Sequence, residues 1–224
     1  MAKKLAISWV VFMIFLLACY VGASGSEAQI LIKFKSSLLS SNESTLSRWD
    51  VSTDPCNGNT PNWNGLRCSR GMVTGLRLEN ASLMGIIDID TLAQLPGLRS
   101  LNFMNNSIDG PMPSVNKLTF LRALSLSYNK FSGQIPADAF TGMNSMKKIH
   151  LGRNQFTGKI PESLTALQKL LELSLEGNHF EGKIPNFPKA QLTLLNLSYN
   201  QLEGPIPASL SNFNATSFEG MLIN

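Results

Sequence analysis

The sequence is dominated by an internal repeat of about 24 residues, and this period constrains the fold more than any other feature. The unit reads LxxLxLxxNxLxGxIP, and residues 121–136 match it throughout when Phe counts as a leucine equivalent. Residues 146–161, 170–185 and 192–207 carry three more copies. The second copy, centred on Asn106, departs slightly from this consensus, and the first copy has Ala81 at the asparagine position. The period held over these six copies predicts a solenoid.

The residue types of the unit explain how such a solenoid holds together. The two leucines of LxL point to one side of a short strand, so stacked units form a parallel sheet with a leucine core behind it. The asparagine follows at a sharp corner, where its amide can bond backbone groups that would otherwise be buried without partners. We predict this structural role for Asn106, Asn129, Asn154, Asn178 and Asn200. The predicted fold is an α/β repeat solenoid with parallel β-strands on its concave face and an N-terminal helical cap.

The segment before the repeats, residues 26–70, is predicted to form this cap. Ser26 with Gln29 three residues later is a capping-box pattern, and an apolar stripe at helical spacing follows at Ile30, Leu31, Phe34 and Leu38. The stripe predicts one helix of about four turns. For the tryptophans that follow we predict packing rather than recognition. The six repeats then occupy residues 71–207, and residues 208–224 form a partial C-terminal flank.

Residues 1–25 have the pattern of a secretory signal peptide. Lys3 and Lys4 precede an uncharged apolar run, and the small residues at 21–24 offer a cleavage site near Ala23 or Gly25. A retained membrane anchor is the alternative, because residues 5–23 are just long enough to span a bilayer. The mature chain is expected in the secretory pathway, extracellular or at the cell surface, without a membrane span unless this segment is retained.

Cysteine usage fits that compartment. Cys19 lies in the segment that would be removed, which leaves Cys56 and Cys68 as an even pair around a loop of turn-forming residues. We predict a disulfide between them; two free thiols or half of a metal site are the alternatives. With only two His and three Cys in the chain, neither a metal site nor a cofactor is expected. The formal net charge is +4, and without Lys3 and Lys4 it is 17 minus 15, or +2, which is too small and too dispersed for nucleic-acid binding.

The GxIP ending, present in full at residues 133–136, 158–161, 182–185 and 204–207, resembles that of plant extracellular leucine-rich-repeat proteins. Residues 31–38 (LIKFKSSL), 75–80 (GLRLEN), 103–107 (FMNNS) and 201–210 (QLEGPIPASL) are similar, more narrowly, to the ectodomain of pollen receptor-like kinases. This resemblance implies a single-pass receptor on pollen tubes. It also implies a part in growth or guidance through secreted peptide or small-protein cues.

The sequence departs from that family at its end. Family members continue, past the segment that corresponds to residues 217–220, into a cysteine pair, a transmembrane helix and a kinase-like domain. Here the sequence stops at Asn224, so no kinase residue can be transferred and this chain is expected not to be an enzyme. A fragment of a receptor, a truncated gene product and a secreted decoy all remain open.

Ligand-binding residues are expected on the concave face, at the variable positions around the strand leucines. The candidates are Arg77, Arg99, Asn102, Arg122, Tyr128, Lys147, Lys148, His150, Arg153, Glu172 and Glu176. The same phase in the sixth repeat gives Asn196 and Tyr199. Basic residues gather in the second to fourth repeats and acidic ones in the fifth, a bipolar pattern that would orient a charged peptide. An ordinary solvated face is the alternative. The expected partner is a secreted peptide or protein, and a co-receptor is a further candidate.

Five N-glycosylation sequons occur in the sequence. Each asparagine is followed two residues later by Ser or Thr, and the five are Asn42, Asn80, Asn105, Asn196 and Asn214. Glycans at the second, third and fourth of these would narrow the concave area that is left for a partner.

Catalytic interpretations find little support in the sequence. Residues 177–183 imitate a phosphate-binding GxxxxGK, but Ile184 replaces the required Ser or Thr and the same Gly-Lys-Ile-Pro recurs in phase at 158–161. Asp88 and Asp90 are expected in a turn. Apart from a receptor ectodomain, the remaining function is a soluble leucine-rich inhibitor of a secreted wall-degrading enzyme, which would be expected to have more repeats and more cysteine pairs.

Overall fold

A computed structural model describes residues 26–40, 46–187 and 192–221 of the chain. The predicted signal peptide, residues 1–25, and the sequon at Asn42 lie outside the described residues. The described part is a solenoid of parallel strands with a short N-terminal helix, as predicted.

The cap begins with helix α1 (Glu27–Lys35). Its N-terminus is the predicted capping box: Ser26 Oγ accepts from Gln29 N at 3.3 Å, and Ser26 N donates to Gln29 Oε1 at 3.0 Å. The prediction of four turns was wrong, because the helix has nine residues. The hydroxyls of Ser36 and Ser37 donate to carbonyls of the last turn at 2.6 and 2.7 Å. The chain then enters strand β1 (Leu38–Ser40).

A disulfide and a pair of tryptophans close the cap. Strands β2 (Cys56–Asn57) and β3 (Thr60–Pro61) form a short antiparallel pair, and Cys56 is bonded to Cys68 with their Cα atoms 5.8 Å apart. Trp49 and Trp63 are both buried and stack with ring centroids 5.6 Å apart. Each indole N–H donates inside the cap, at 2.9 and 2.8 Å. The tryptophans therefore have the packing role that was predicted.

The concave sheet has seven strands, one of them from the cap. The cap strand is β4 (Leu66–Ser69), which pairs antiparallel with β5 (Met72–Arg77). From β5 onward every pairing is parallel, through β7 (Ser100–Asn102), β9 (Ala123–Ser125), β11 (Lys148–His150), β13 (Glu172–Ser174) and β15 (Leu194–Asn196). Each repeat thus contributes one strand, in register with its neighbours.

The return segments of the repeats form a second, lateral sheet. Its parallel strands are β8 (Asp109–Gly110), β10 (Lys130–Gln134), β12 (Gln155–Gly158), β14 (His179–Lys183) and β16 (Gln201–Glu203). At the N-terminal end β6 (Leu83–Gly85) pairs antiparallel with β1. Helix α2 (Ile89–Leu92) and 3-10 turns at Val115–Lys117, Glu162–Ala166, Ala208–Leu210 and Ala215–Phe218 complete the described elements.

One continuous apolar core lies between the two sheets and runs from Ala28 in the cap to Phe218. Near its middle, Phe156 stacks between Phe131 and Phe180, with centroids 6.1 and 6.2 Å away. The three phenylalanines hold the same position in successive repeats, so each unit buries its aromatic ring against its neighbours. This dependence on neighbours is what a solenoid requires.

The asparagines lie at the corner after each concave strand and join adjacent repeats. Asn154 is typical: its Oδ1 accepts from Phe131 N at 3.1 Å, and its Nδ2 donates to Leu126 O and Leu151 O, both at 3.0 Å. The same three contacts recur at Asn106, Asn129, Asn178 and Asn200. Each side chain thus bonds its own repeat and the preceding one.

The segment after the sixth repeat adds one more backbone step to the concave sheet. Leu197 N donates to Ser217 O at 2.8 Å, and Tyr199 N donates to Glu219 O at 2.6 Å. These bonds repeat the pattern that joins the fifth and sixth repeats. The side chain of Phe218 is buried at the end of the core.

Candidate ligand-binding face

The concave sheet aligns its side chains in rows, because each strand is in register with the next. We call the residues before the strands the entry row: Arg99, Arg122, Lys147, Leu171 and Thr193, joined by N–H···O bonds of 2.7 to 2.8 Å between consecutive members. Two middle rows lie on the strands; one contains Lys148 and Glu172, the other Arg77, Asn102, His150 and Asn196. After the strands comes the exit row: Asn80, Asn105, Tyr128, Arg153, Gly177 and Tyr199.

Every exit-row residue has a positive φ, between 53° and 64°. In this left-handed conformation the chain turns into the corner, one residue before the buried asparagine position. The conformation costs an ordinary side chain roughly 1–2 kcal/mol, whereas Gly and Asn adopt it readily. Tyr128, Arg153 and Tyr199 therefore hold positions that local backbone preference alone would not assign to them.

The carboxylate of Glu172 lies between two basic side chains of the middle rows. Its Oε1 is 2.7 Å from Lys148 Nζ, and its Oε2 is 3.1 Å from His150 Nε2. The contact with His150 is electrostatic, because this buried nitrogen is not aligned for a hydrogen bond. The hydrogen bond from Lys148, helped by the charges of both neighbours, lowers the pKa of Glu172. The residue is therefore ionised and neutralised within the face.

Two other acids of the face are also engaged by neighbours. Glu79 accepts from Arg77 Nε at 2.6 Å and from Asn102 Nδ2 at 2.5 Å. Glu176 accepts from the Ser174 hydroxyl, and its carboxylate covers Gly152, where an added Cβ would lie 2.2 Å from Oε1. Glu79 is therefore paired with a cation, whereas Glu176 keeps its charge beside a neutral hydroxyl, and the bipolar pattern expected from the sequence stays a prediction.

The cations of the entry row have no such partners. In the described part of the chain, the side chains of Arg122 and Lys147 form neither an ion pair nor a hydrogen bond. Arg99 Nη1 donates to two backbone carbonyls, Pro96 O at 3.1 Å and Leu98 O at 2.8 Å. Its guanidinium carbon also lies 5.2 Å from the ring centroid of Phe120, which is 65% exposed.

The exit row carries aromatic and cationic side chains in its C-terminal half. The Arg153 guanidinium carbon lies 5.9 Å from the ring centroid of Tyr199. Gly177 lies between them, and a Cβ there would be 2.9 Å from Arg153 Cδ. A hydrogen bond to the Glu219 carboxylate raises the pKa of Tyr199. Tyr128 is half exposed in the same row.

Sequence reasoning assigned most of these residues to the concave side but missed Phe120. This residue precedes the first leucine of its repeat, at a position for which the repeat consensus specifies no residue type. Its exposure on the folded chain is the only signal that identifies it.

The described sequons differ in accessibility. Asn80 and Asn105 are exposed in the exit row, and Asn105 Nδ2 donates to Asn80 Oδ1 at 2.5 Å. Asn196 is half-buried and accepts from the Ser198 hydroxyl at 2.7 Å. Asn214 is exposed at the start of a 3-10 turn. Glycosylation at these positions stays a prediction.

The two aspartates considered as a catalytic pair have local structural partners. Asp88 caps helix α2, where Thr91 N and Thr91 Oγ1 donate to it at 3.0 and 2.6 Å and lower its pKa. Asp90 pairs with Lys117 on the surface. Within the described ranges there is no cluster of three metal-ligating side chains, and no helix there is long and apolar enough to cross a membrane.

Comparison with known proteins places this face in a family. Residues 119–180 and 191–213 match leucine rich repeat families, and residues 24–69 match the leucine rich repeat N-terminal domain. Pollen receptor-like kinase 2 of Arabidopsis thaliana is 48% identical over 195 residues, which are 87% of this chain and 29% of that protein. The chain therefore spans under a third of the length of this relative.

Solved structures show the same similarity. The crystal structure of a pollen receptor kinase 3 superposes with a TM-score of 0.77 at 37% identity, covering 88% of this chain and 92% of that one. The ectodomain of the Arabidopsis receptor kinase HAESA, solved with an IDA peptide hormone ligand, has a TM-score of 0.70 at 29% identity, over 83% of this chain and 35% of that one. The chain belongs to the leucine-rich-repeat family and, within it, to the receptor-like kinase ectodomains of the pollen receptor-like kinase group.

Proposed function

We propose that this chain is the extracellular ligand-binding module of a pollen-type receptor-like kinase and that it binds a secreted peptide or protein on its concave face. The observation that carries the proposal is the contrast between a uniform backbone and variable side chains on that face. Six parallel strands repeat the same register. The residues that project from them include Tyr and Arg, the types that are enriched at protein interfaces, beside Lys, His and Glu.

The proposed contact residues are the concave positions described above: Arg77, Arg99, Asn102, Arg122, Tyr128, Lys147, Lys148, His150, Arg153, Glu172 and Glu176. The HAESA ectodomain, which shares this fold, has been solved with a peptide hormone. That similarity supports a peptide ligand for this chain as well. A co-receptor is the second partner that we propose, because the lateral sheet offers a surface separate from the concave one.

The proposal extends to the parts of the chain that direct it to the cell surface. Residues 1–25 act as the secretory signal, and the sequons, including Asn42, carry glycans. The chain itself is non-catalytic in this proposal. Any kinase activity belongs to a region corresponding to the parts of the relatives that this chain does not cover. Mass spectrometry of the secreted protein measures both the cleavage site and the glycan occupancy.

A ligand search on secretions tests the proposal. The secreted chain is immobilised and incubated with pistil and pollen secretions, and bound peptides and proteins are identified by mass spectrometry. Each one is then titrated by calorimetry against wild type and against the double variant Tyr128→Ala/Arg153→Ala. We expect a concave ligand to lose at least about tenfold in affinity, since Tyr and Arg are frequent hot spots.

The matched control changes exposed lysines of the lateral sheet, in the double variant Lys159→Glu/Lys183→Glu. This variant should bind the same ligand within about twofold of wild type. A secreted ligand that loses affinity for the lateral variant but not for the concave one contradicts the proposed concave site, whereas a co-receptor ectodomain is expected to show that pattern.

A further inference from the structure

The entry row begins with three cations in consecutive repeats. Arg122 N donates to Arg99 O at 2.7 Å, and Lys147 N donates to Arg122 O at 2.8 Å. Neighbouring strands of a sheet lie about 4.8 Å apart, so the three side chains start from points spaced by that distance. Leu171 and Thr193 continue the row without charge. The positive charge of the entry row is therefore confined to the second to fourth repeats.

This charge is not neutralised by the acids of the face. Glu172 is held by Lys148 and His150, and Glu79 is held by Arg77 and Asn102. The acids of the middle rows are thus committed, whereas Arg122 and Lys147 extend into solvent without a partner among the described residues. Like charges at this spacing repel each other, and a bound anion would relieve that repulsion.

An exposed aromatic ring lies at the same edge. Phe120 is two residues before Arg122 and is 65% exposed, and the guanidinium of Arg99 lies 5.2 Å from its ring centroid. An aromatic ring beside arginines is the composition found at the centre of protein interfaces. We call Arg99, Phe120, Arg122 and Lys147 the basic edge.

We propose that the basic edge binds an acidic polypeptide segment, with at least two carboxylates on Arg122 and Lys147 and one apolar side chain on Phe120. This inference rests on the proposed function and deepens it, because it names the chemistry of the ligand. The exposed phenylalanine favours a polypeptide over a purely anionic polymer, which would have no apolar group to cover the ring. Arg99 positions that ring, since its own guanidinium is already held by two backbone carbonyls.

Binding of short synthetic peptides tests the inference on the secreted, glycosylated chain. The probes are fluorescein-labelled EELEEL, EESEES, which lacks the apolar residues, and KKLKKL, which reverses the charge. Fluorescence anisotropy at low salt should rank EELEEL above EESEES, with no binding of KKLKKL. Binding should weaken by about tenfold or more when salt is raised to about 0.3 M, because exposed charges are then screened.

Variants then locate the binding. The double variant Arg122→Glu/Lys147→Glu should weaken EELEEL by at least about tenfold, and Phe120→Ala should weaken EELEEL about threefold without changing EESEES. The matched control is Lys159→Glu/Lys183→Glu on the lateral sheet, which makes the same change in net charge and should stay within about twofold of wild type. All substituted residues are exposed, and thermal unfolding of each variant checks that the fold is retained.

Four results would overturn the inference. In the first, the wild-type chain fails to bind EELEEL at low salt; in the second, the lateral control loses as much affinity as the basic-edge variant. In the third, an oligomer of polygalacturonate binds more tightly than EELEEL and is insensitive to Phe120→Ala, which assigns the edge to an acidic polysaccharide. In the fourth, a ligand from secretions requires Tyr128 and Arg153 but tolerates Arg122→Glu/Lys147→Glu. The inference about the basic edge is then wrong, while the proposed function stands.

Discussion

Two rows of residues run along the solenoid one position apart in the chain, the exit row and the asparagine row that follows it. Arg153 and Asn154 belong to them and are adjacent, yet the arginine is exposed whereas the asparagine is 7% exposed. The asparagine bonds backbone groups of two repeats, whereas the arginine side chain lies over Gly177 and near the ring of Tyr199. Buried backbone groups therefore dictate the residue type in the asparagine row, whereas the exit row has only a conformational preference for Gly and Asn, which Tyr and Arg override.

This contrast separates the positions of a repeat whose residue type is set by the fold from those whose residue type can be set by a ligand. Replacing such an asparagine would strand a buried N–H group and remove one bond from each of two carbonyls, so its row is almost uniform. The exit row changes from Asn to Tyr, Arg and Gly although its backbone conformation stays the same. The conformation favours Gly and Asn, so it does not explain the Tyr and Arg side chains, which are available for binding.

The largest effect is expected from breaking the asparagine row. Asn154→Ala leaves Phe131 N and the carbonyls of Leu126 and Leu151 without that partner. Leu126 O keeps its bond from Asn129 and Leu151 O keeps its bond from Asn178, so only the Phe131 N–H is left without a partner. One stranded buried donor costs about 1–3 kcal/mol, and the two lost carbonyl bonds should bring the loss in unfolding free energy to about 2–4 kcal/mol. Urea denaturation measures it.

The adjacent residue is the matched control for that experiment. Arg153→Ala removes an exposed side chain and should change the unfolding free energy by no more than about 0.5 kcal/mol. Equal losses for the two variants would show that the rows do not differ in the way described here.

A smaller loss is expected within the exit row itself. Gly177→Ala places a Cβ on a residue with φ of 64°, which costs roughly 1–2 kcal/mol, and brings that atom to 2.9 Å from Arg153 Cδ. Gly177→Asn should lose less, since Asn tolerates this conformation. Thermal unfolding compares the two. Equal stability of wild type and Gly177→Ala would contradict the role given to the left-handed backbone.

The sequence predicted the asparagine row, and the structure explains its one exception. Asn106 bonds Leu78 O and accepts from both Ala81 N and Leu83 N, so the second repeat supplies the bonds that the first one needs. No repeat precedes the first, so an asparagine at position 81 would lack the bonds to a preceding repeat, and Leu78 O of its own repeat already accepts from Asn106. The alanine at position 81 is thus the expected start of the asparagine row.

Other features of the face were not available to sequence reasoning. The stripe that predicted a longer helix fails at Leu38, which is buried from a strand after the chain has turned at two serines. Phase alone placed Lys148 and Glu172 on the same face. It did not show that their side chains meet, because cross-strand contacts depend on rotamers as well as on register.

Substitution of Ala81 tests why the first repeat lacks the asparagine. Ala81 is 2% exposed, so Ala81→Asn buries an amide at a position with no preceding repeat to bond. We expect a loss of about 1 kcal/mol in unfolding free energy, whereas an asparagine at the same position of any later repeat stabilises the fold. A variant more stable than wild type would show that the first corner lacks a bond that asparagine can supply.

The smallest effect concerns a carboxylate that, unlike the asparagines, is only half satisfied. Glu27 Oε2 accepts from Val73 N at 2.9 Å, but Oε1 is buried without a partner, and this burial raises the pKa of Glu27. A raised pKa means that the folded chain binds the proton more tightly. The stabilisation is present below the ordinary carboxyl pKa and is lost as pH rises through the folded value.

The measurement compares thermal unfolding of wild type and Glu27→Gln across that pH range. Other carboxylates titrate equally in both proteins, including Asp88 and Glu172, whose lowered pKa values act in the opposite direction. The difference between the two melting temperatures therefore isolates Glu27 and should shift in favour of wild type as the pH falls. A difference that is constant with pH would mean that Glu27 has the same proton affinity in the folded and unfolded chain. The unpaired oxygen would then have to be solvated, and the cap would be as fully satisfied as the asparagine row.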